Sequence, residues 1–312
     1  MHYRQLGKAG IKVSELSLGP WLTFSKHLSV KKTTEMMFLA YDQGVNLFDN
    51  AERYAEGMAE CLMGEVFKNF RRESLVITTK LFWGGSGPND TGLSRKHLIE
   101  GAKNSLRRLQ VDYVDLLYCH RPDENTPIEE TVLAMDTLVR QGFALYWGTS
   151  EWPAAKIELA YQLAEKMHCI PPSMEQPVYN LFDRVQVEHD YLLLCKNRGM
   201  GLVTSSPLAF GLLSGKYSKG IPEDSRLATQ ERLIMPDFKS RIAMVDRMKE
   251  LAESLQCTCA QLALAWCLSN NFVSSVIMGA SNEKQLMENI MAVELKDKMN
   301  GEIDEALGVI FK

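Results

Sequence analysis

Eight short β-rich runs recur along the chain: SELSLG (14–19), VNLFD (45–49), LVITTK (75–80), YVDLLYCH (113–120), ALYWGTS (144–150), SMEQ (173–176), GLVTSSP (201–207) and SSVIMGAS (274–281). The intervals between them carry helical periodicity, as in Met36, Leu39, Ala40 and Gln43, or Leu98, Ala102, Ser105 and Leu109. Strands that alternate with helices must pair in parallel, because each helix carries the chain back to the starting edge. Near-continuous apolar strands such as LVITT suit a parallel sheet covered on both faces. No Pro/Gly/Ser-rich linker or internal repeat divides the 312 residues. The expectation is therefore a single α/β domain over residues 1–312, a (β/α)₈ barrel rather than an open doubly wound sheet. Gly7 and Gly10 punctuate an N-terminal β-hairpin ahead of the first barrel strand. Long loops follow two strands, FWGGSGPNDTGLS (82–94) and a stretch from Pro207 to about Met235. Loops of that length at the C-terminal face usually cover a functional site.

Composition excludes several alternatives. The net charge of −4 and scattered Lys and Arg argue against a nucleic-acid surface. Seven cysteines, most within apolar segments, suit buried thiols in a reducing compartment better than a disulfide framework, and Cys257-Thr-Cys259 lacks the spacing of a metal or redox pair. No signal or transit peptide, lipidation motif or bilayer-length apolar run is present, so a soluble, cytoplasmic protein without membrane insertion is expected.

In such a barrel the chemistry gathers where the strands end. Those ends carry Pro20–Trp21, Asp49–Asn50, Lys80, His120, Ser150–Glu151, Gln176, Ser205–Ser206 and Gly279–Ser281, and Tyr54 follows Asp49 closely enough to fold over the same mouth. Each has a mundane reading alone: Asp49 as a helix N-cap, Lys80 as a solvated charge, Tyr54 as a surface ring, His120 as a packed side chain or a metal ligand. Together Asp49, Tyr54, Lys80 and His120 make a coherent acid. An ammonium beside a phenol favours phenolate and lowers its pKa from about 10, a carboxylate holds that ammonium, and an imidazole can align a carbonyl oxygen. Such a site protonates an oxygen whose carbon receives a hydride, and the hydride requires a cofactor. Motifs for metalloproteases, nucleophile-elbow hydrolases and Rossmann dinucleotide sites are absent, and FGLLSGKYS departs from a P-loop at Phe210 and Tyr217.

With those residues assembled, the sequence resembles the aldo-keto reductases, in the branch of voltage-gated potassium channel β-subunits and their plant and bacterial relatives. The similarity spans essentially the whole chain. It is carried by VNLFDNAERYAEGMAE, RRESLVITTKLFWGG, GLSRKHLIEG, RPDENTPIEETVLAMDTLVRQGFALYWGTSEW, KYSKGIPEDSR and GASNEKQLMENI. The resemblance implies NADP(H), with Tyr54 as general acid, Lys80 as its pKa modifier, Asp49 as the partner of Lys80, and His120 orienting the carbonyl. It places Ser150 and Gln176 at the nicotinamide carboxamide. Lys216, Ser225, Arg226, Ser281, Gln285 and Asn289 fall at the adenosine 2′-phosphate end, with Glu288 beside Asn289. Trp21, Asp49, Ser206, Pro207, Leu208 and Gly279 complete the expected cofactor set, and Trp21 and Trp83 would line the substrate pocket.

This chain departs from the pattern at three positions. His120 stands where animal channel subunits typically carry Asn, Ser205 replaces an aromatic that stacks on the nicotinamide (with Phe210 as the candidate substitute ring), and Glu151 replaces a basic residue. Met1 directly precedes the fold, so no pore-plugging N-terminal extension is expected. The implied activity is reduction of small aldehydes and ketones to alcohols. The alternative is a channel-associated auxiliary subunit using NADPH as a redox sensor, and a homo-oligomer, tetrameric by resemblance, is implied for either.

Overall fold

Each of the eight β-rich runs forms a strand of one closed barrel. The structure, a computed structural model, describes residues 1–19, 30–223, 225–230 and 233–312, without the side chain of residue 226. A two-stranded antiparallel hairpin, β1 (Tyr3–Gln5) and β2 (Lys12–Ser14), precedes the barrel. The barrel strands are β3 (Leu16–Leu18), β4 (Leu47–Phe48), β5 (Val76–Leu81), β6 (Val114–Cys119), β7 (Ala144–Ser150), β8 (Met174–Gln176), β9 (Gly201–Thr204) and β10 (Val273–Met278). Every neighbouring pair is parallel, and β10 returns to β3 with Val276 opposite Leu16.

Helices α1 (Val30–Asp42), α2 (Met58–Phe67), α3 (Arg95–Leu109), α4 (Ile128–Arg140) and α5 (Ala154–Met167) alternate with the first six barrel strands. Helical turns at Gln186–Asp190 and Leu194–Arg198 lie between β8 and β9. After β9 come α6 (Arg226–Thr229), α7 (Phe238–Ser254) and α8 (Cys259–Ser269). After β10 come α9 (Glu283–Ile290), α10 (Ala292–Lys296) and α11 (Gly301–Ile310). Local sequence explains their ends. Ser94 caps α3 by accepting from the His97 N–H, and Thr258 and Gln261 close a reciprocal capping box on α8. The predicted stripe Leu98, Ala102, Ser105 and Leu109 is the buried face of α3.

Two cores result. Leu6, Val13, Leu47, Val76, Leu116, Tyr118, Met174 and Val203 fill the barrel interior, with the hairpin closing the end where the strands begin. Each fully buried Leu or Val there contributes about 1.5–3 kcal/mol. The larger core lies between strands and helices. Arg4 fastens the hairpin, donating to Glu15 and to the carbonyls of Leu268 and Val273. With one end plugged by apolar side chains, the end where strands β3–β10 finish is left to carry polar groups.

Candidate active site

Period-two alternation sets which side chains enter the mouth. On β5, Thr78 and Lys80 both reach Asp49, whereas Thr79 faces outward and donates to the fully buried Glu60 of α2. Arg108 of α3 donates to the other Glu60 oxygen at 2.6 Å, so the strand carrying Lys80 is clamped from outside.

Asp49 follows β4, Lys80 lies in β5 and His120 follows β6, three neighbouring strands of the barrel. Lys80 Nζ donates to Asp49 Oδ2 at 2.5 Å, to the Asn50 carbonyl at 2.7 Å and to Tyr54 Oη at 3.3 Å. Asp49 Oδ1 accepts from Thr78 Oγ1 at 2.8 Å and from Gln176 Nε2 at 3.0 Å. The carboxylate is thus committed to the interior network rather than to capping a helix. Lys80 is wholly buried and Asp49 nearly so.

Tyr54 is held by its loop. The Tyr54 N–H donates to the Ala51 carbonyl and the Glu52 N–H to the Lys80 carbonyl. The Glu52 carboxylate accepts from the Phe82 N–H at 2.7 Å and meets His97 Nε2 of α3 at 3.0 Å. Immediately after Tyr54 the backbone turns left-handed at Ala55, Glu56 and Gly57, with φ of 50°, 56° and 87°. Non-glycine residues seldom adopt that conformation. The surrounding contacts hold the turn, and with it the phenol.

The electrostatics correct one expectation. Burial is the largest influence on Tyr54 and raises its pKa above the ordinary value. Lys80 lowers it, Asp49 raises it, and the sum is upward, so the phenol stays protonated rather than becoming acidic. Burial pulls the Lys80 ammonium down, but Asp49 and Tyr54 together raise it. His120 is held well below the usual imidazole range by burial, then by the charges of Lys80, Arg121 and Arg53. It is therefore neutral near pH 7. Its ring stands edge-on to Tyr54 at 5.9 Å and to Trp83 at 5.1 Å, and Nδ1 is buried without a hydrogen-bond partner among the described residues. Among those residues no group of three or more His, Cys, Asp or Glu is placed to hold a metal.

The residues expected to hold a cofactor fall into several places. Ser150 and Gln176 are opposite one another at the ends of β7 and β8, and Ser150 Oγ donates to the Gln176 carbonyl at 3.0 Å. The Gln176 amide is spent on Asp49, which joins the two sets directly. Gly279, Ser281, Gln285 and Asn289 cluster after β10. Ser281 Oγ donates to Gln285 Oε1 at 2.7 Å, and the buried Asn289 amide donates to the Gly279 carbonyl at 3.3 Å. The Glu288 carbonyl accepts from Gln261 of α8. Ser206 takes a left-handed φ of 54° and its carbonyl accepts from Asn180; buried Pro207 and half-buried Leu208 follow it into the long loop. Lys216 is exposed over the Tyr217 ring, and Ser225 is buried at the start of α6. Trp21 and the Arg226 side chain lie outside the described residues. Ser205 is tied to the Pro177 carbonyl, and Phe210 lines a cavity with Leu227, Met235 and Phe238. A buried imidazole nitrogen without a partner among the described residues, beside a protonated phenol and polar strand ends, is a donor set that would suit a carbonyl group and a nicotinamide carboxamide.

Three contributors were missed from sequence. Thr78 had a signal, since it precedes Lys80 by two on the same strand face. Arg121 adjoins His120, and its Nη2 donates to Glu151 at 2.6 Å while Nη1 meets Ser150 Oγ at 3.4 Å. Arg53 adjoins Tyr54 and lies over Trp83.

Comparison with known proteins shows which family the chain is similar to. Residues 15–307 match the Aldo/keto reductase family. A probable voltage-gated potassium channel subunit beta of Arabidopsis thaliana is 52% identical over 304 residues, covering 95% of this chain and 92% of that protein. A protein of the same name from Oryza sativa subsp. japonica is 47% identical over 319 aligned positions, covering 99% of this chain and 96% of its own length. Among the described residues no helix is long and apolar enough to cross a membrane.

Proposed function

The chain belongs to the aldo/keto reductase family, and from that premise we propose that residues 1–312 form one NADPH-dependent reductase of aldehydes and reactive ketones, acting in the cytoplasm. The observation that carries this reading is the contact series Asp49–Lys80–Tyr54, ending 3.3 Å from the phenol, with a neutral His120 beside it. When bound, the reduced nicotinamide supplies the hydride for the carbonyl carbon. Tyr54 Oη donates the proton to the carbonyl oxygen as negative charge develops there. The raised phenol pKa suits this role, because the developing alkoxide is a stronger base than phenolate and the proton stays in place until it is needed. Lys80 stabilises the phenolate left behind, and Asp49, held by Thr78 and Gln176, keeps Lys80 charged and aimed. His120, being neutral, offers the carbonyl a hydrogen bond without adding a charge. Lys216 and Arg226 supply the cations a 2′-phosphate requires, which favours NADP over NAD. The direct test is NADPH oxidation across a panel of aldehydes. Turnover is expected, falling about 10²–10⁴-fold in Tyr54→Phe. Binding of NADPH with no oxidation by any aldehyde would remove the enzyme reading.

A second reading is favoured by the names of the two relatives: a potassium-channel auxiliary subunit, tetrameric, whose slow turnover reports the redox state of the nucleotide. Recovery of a potassium channel with the tagged protein, together with slow turnover, supports it.

A further inference from the structure

Beyond the Asp49–Lys80–Tyr54 series, the mouth carries two guanidinium groups in different electrostatic states. Arg121 is paired, Nη2 donating to Glu151 Oε1 at 2.6 Å and Nη1 to the His120 carbonyl at 2.5 Å, and its guanidinium carbon lies 5.7 Å from the Trp83 centroid. Arg53 is exposed, and among the described residues no carboxylate pairs with it. Its guanidinium carbon lies 4.6 Å from the centroid of the Trp83 ring. Trp83 stands 5.1 Å from His120, and His120 stands 5.9 Å from Tyr54. The series Tyr54, His120, Trp83, Arg53 is therefore a continuous wall, with proton-donating groups at one end, an indole in the middle and, at the other end, a cation that no carboxylate among the described residues neutralises.

A guanidinium lying over an indole uses its flat face for that contact and keeps its in-plane N–H donors for a planar anion. The ring also limits the conformations open to the side chain, so less entropy is lost when an anion binds. The charge is felt at the reacting end, since Arg53 is among the groups that hold His120 neutral. A carbonyl oxygen held at Tyr54 and His120 would direct its substituent along Trp83 toward that cation.

We infer that this chain selects carbonyl substrates bearing a carboxylate about one aromatic ring's width from the carbonyl, with Arg53 as the specificity-determining residue. The inference deepens the reductase reading and rests on it. The probes are 4-formylbenzoate and its methyl ester, which share the reacting aldehyde and differ in charge. At low salt the ratio of kcat/KM, acid over ester, is expected to be about 10 or more, equivalent to about 1.4 kcal/mol. The difference should lie in KM and shrink as ionic strength rises. Arg53→Gln should bring the ratio close to one, while Arg53→Lys, which keeps the charge and loses the fork, should retain part of it. With both aldehydes still reduced, a ratio near one in the unmodified protein overturns the acid preference, and a high ratio that survives Arg53→Gln overturns the assignment of that preference to Arg53. Reduction of neither overturns the reductase reading and this inference with it.

Discussion

Lys80 and Asp49 meet at 2.5 Å, inside a barrel where Lys80 has no exposed surface and every oxygen of Asp49 is engaged. Removing one partner leaves the other as an uncompensated buried charge, which costs about 3–5 kcal/mol. Lys80→Met is therefore expected to lower urea-unfolding stability by that order as well as abolishing turnover. Near-normal stability would mean that Asp49 finds another cation or takes up a proton.

The raised phenol sets the alkaline limb of the pH profile. Tyr54 must be protonated to act, so kcat/KM should hold through pH 7–10 and fall only above the ordinary tyrosine value of about 10. His120, held low, should add no inflection near the usual imidazole value of about 6.5. An inflection there that disappears in His120→Asn would contradict the burial-dominated account.

Glu175 of β8, fully buried, accepts from the Trp152 N–H at 3.3 Å and from Thr149 Oγ1, and burial pushes its carboxyl up to about 8. The folded state thus binds a proton that the unfolded state has released above about pH 4.5. Its contribution to stability is complete below pH 4.5 and is lost as pH rises toward and through 8, at no more than about 1.4 kcal/mol per pH unit. Glu175→Gln, an isostere of the protonated form, should flatten that slope in chemical denaturation at pH 5 and pH 8.5. Parallel slopes in the two proteins would place the proton elsewhere.

Gly148 lies where β7 meets β8, and a Cβ there would fall 2.1 Å from the Met174 carbonyl oxygen. Backbone cannot yield by that amount without separating the two strands. Gly148→Ala should therefore destabilise by more than about 3 kcal/mol or fail to accumulate folded. Should it fold, KM for NADPH is expected to rise, because Ser150 and Gln176 sit on the displaced strand ends. A variant with unchanged stability would show the pairing to be looser than described.

Several features are legible in the sequence. The eight runs from SELSLG to SSVIMGAS became β3–β10, because runs such as LVITTK are apolar enough to need burial on both faces and alternate with helix-length returns. Asp49, Lys80 and His120 could be picked out because polar groups at the ends of such strands have no packing reason to be there. The direction of the Tyr54 shift was not legible. It depends on burial outweighing Lys80, and burial is a property of the surroundings assembled around the phenol rather than of neighbours in the chain. The Gln176 bond to Asp49, between residues 127 apart, and the Arg121–Glu151 pair were equally hidden.

The sequence by itself determined the barrel, the face that carries the chemistry and the residue types gathered there, since periodicity and strand ends are local properties of the chain. Only the tertiary structure decided which partner each charge meets. Arg121 meets Glu151 and, at 5.7 Å, the Trp83 ring that Arg53 also meets, and Asp49 is shared among Thr78, Lys80 and Gln176. Those pairings follow from barrel closure, which brings separate strand ends within a few ångströms. At that range distance and burial, not residue identity, set the strength of each interaction.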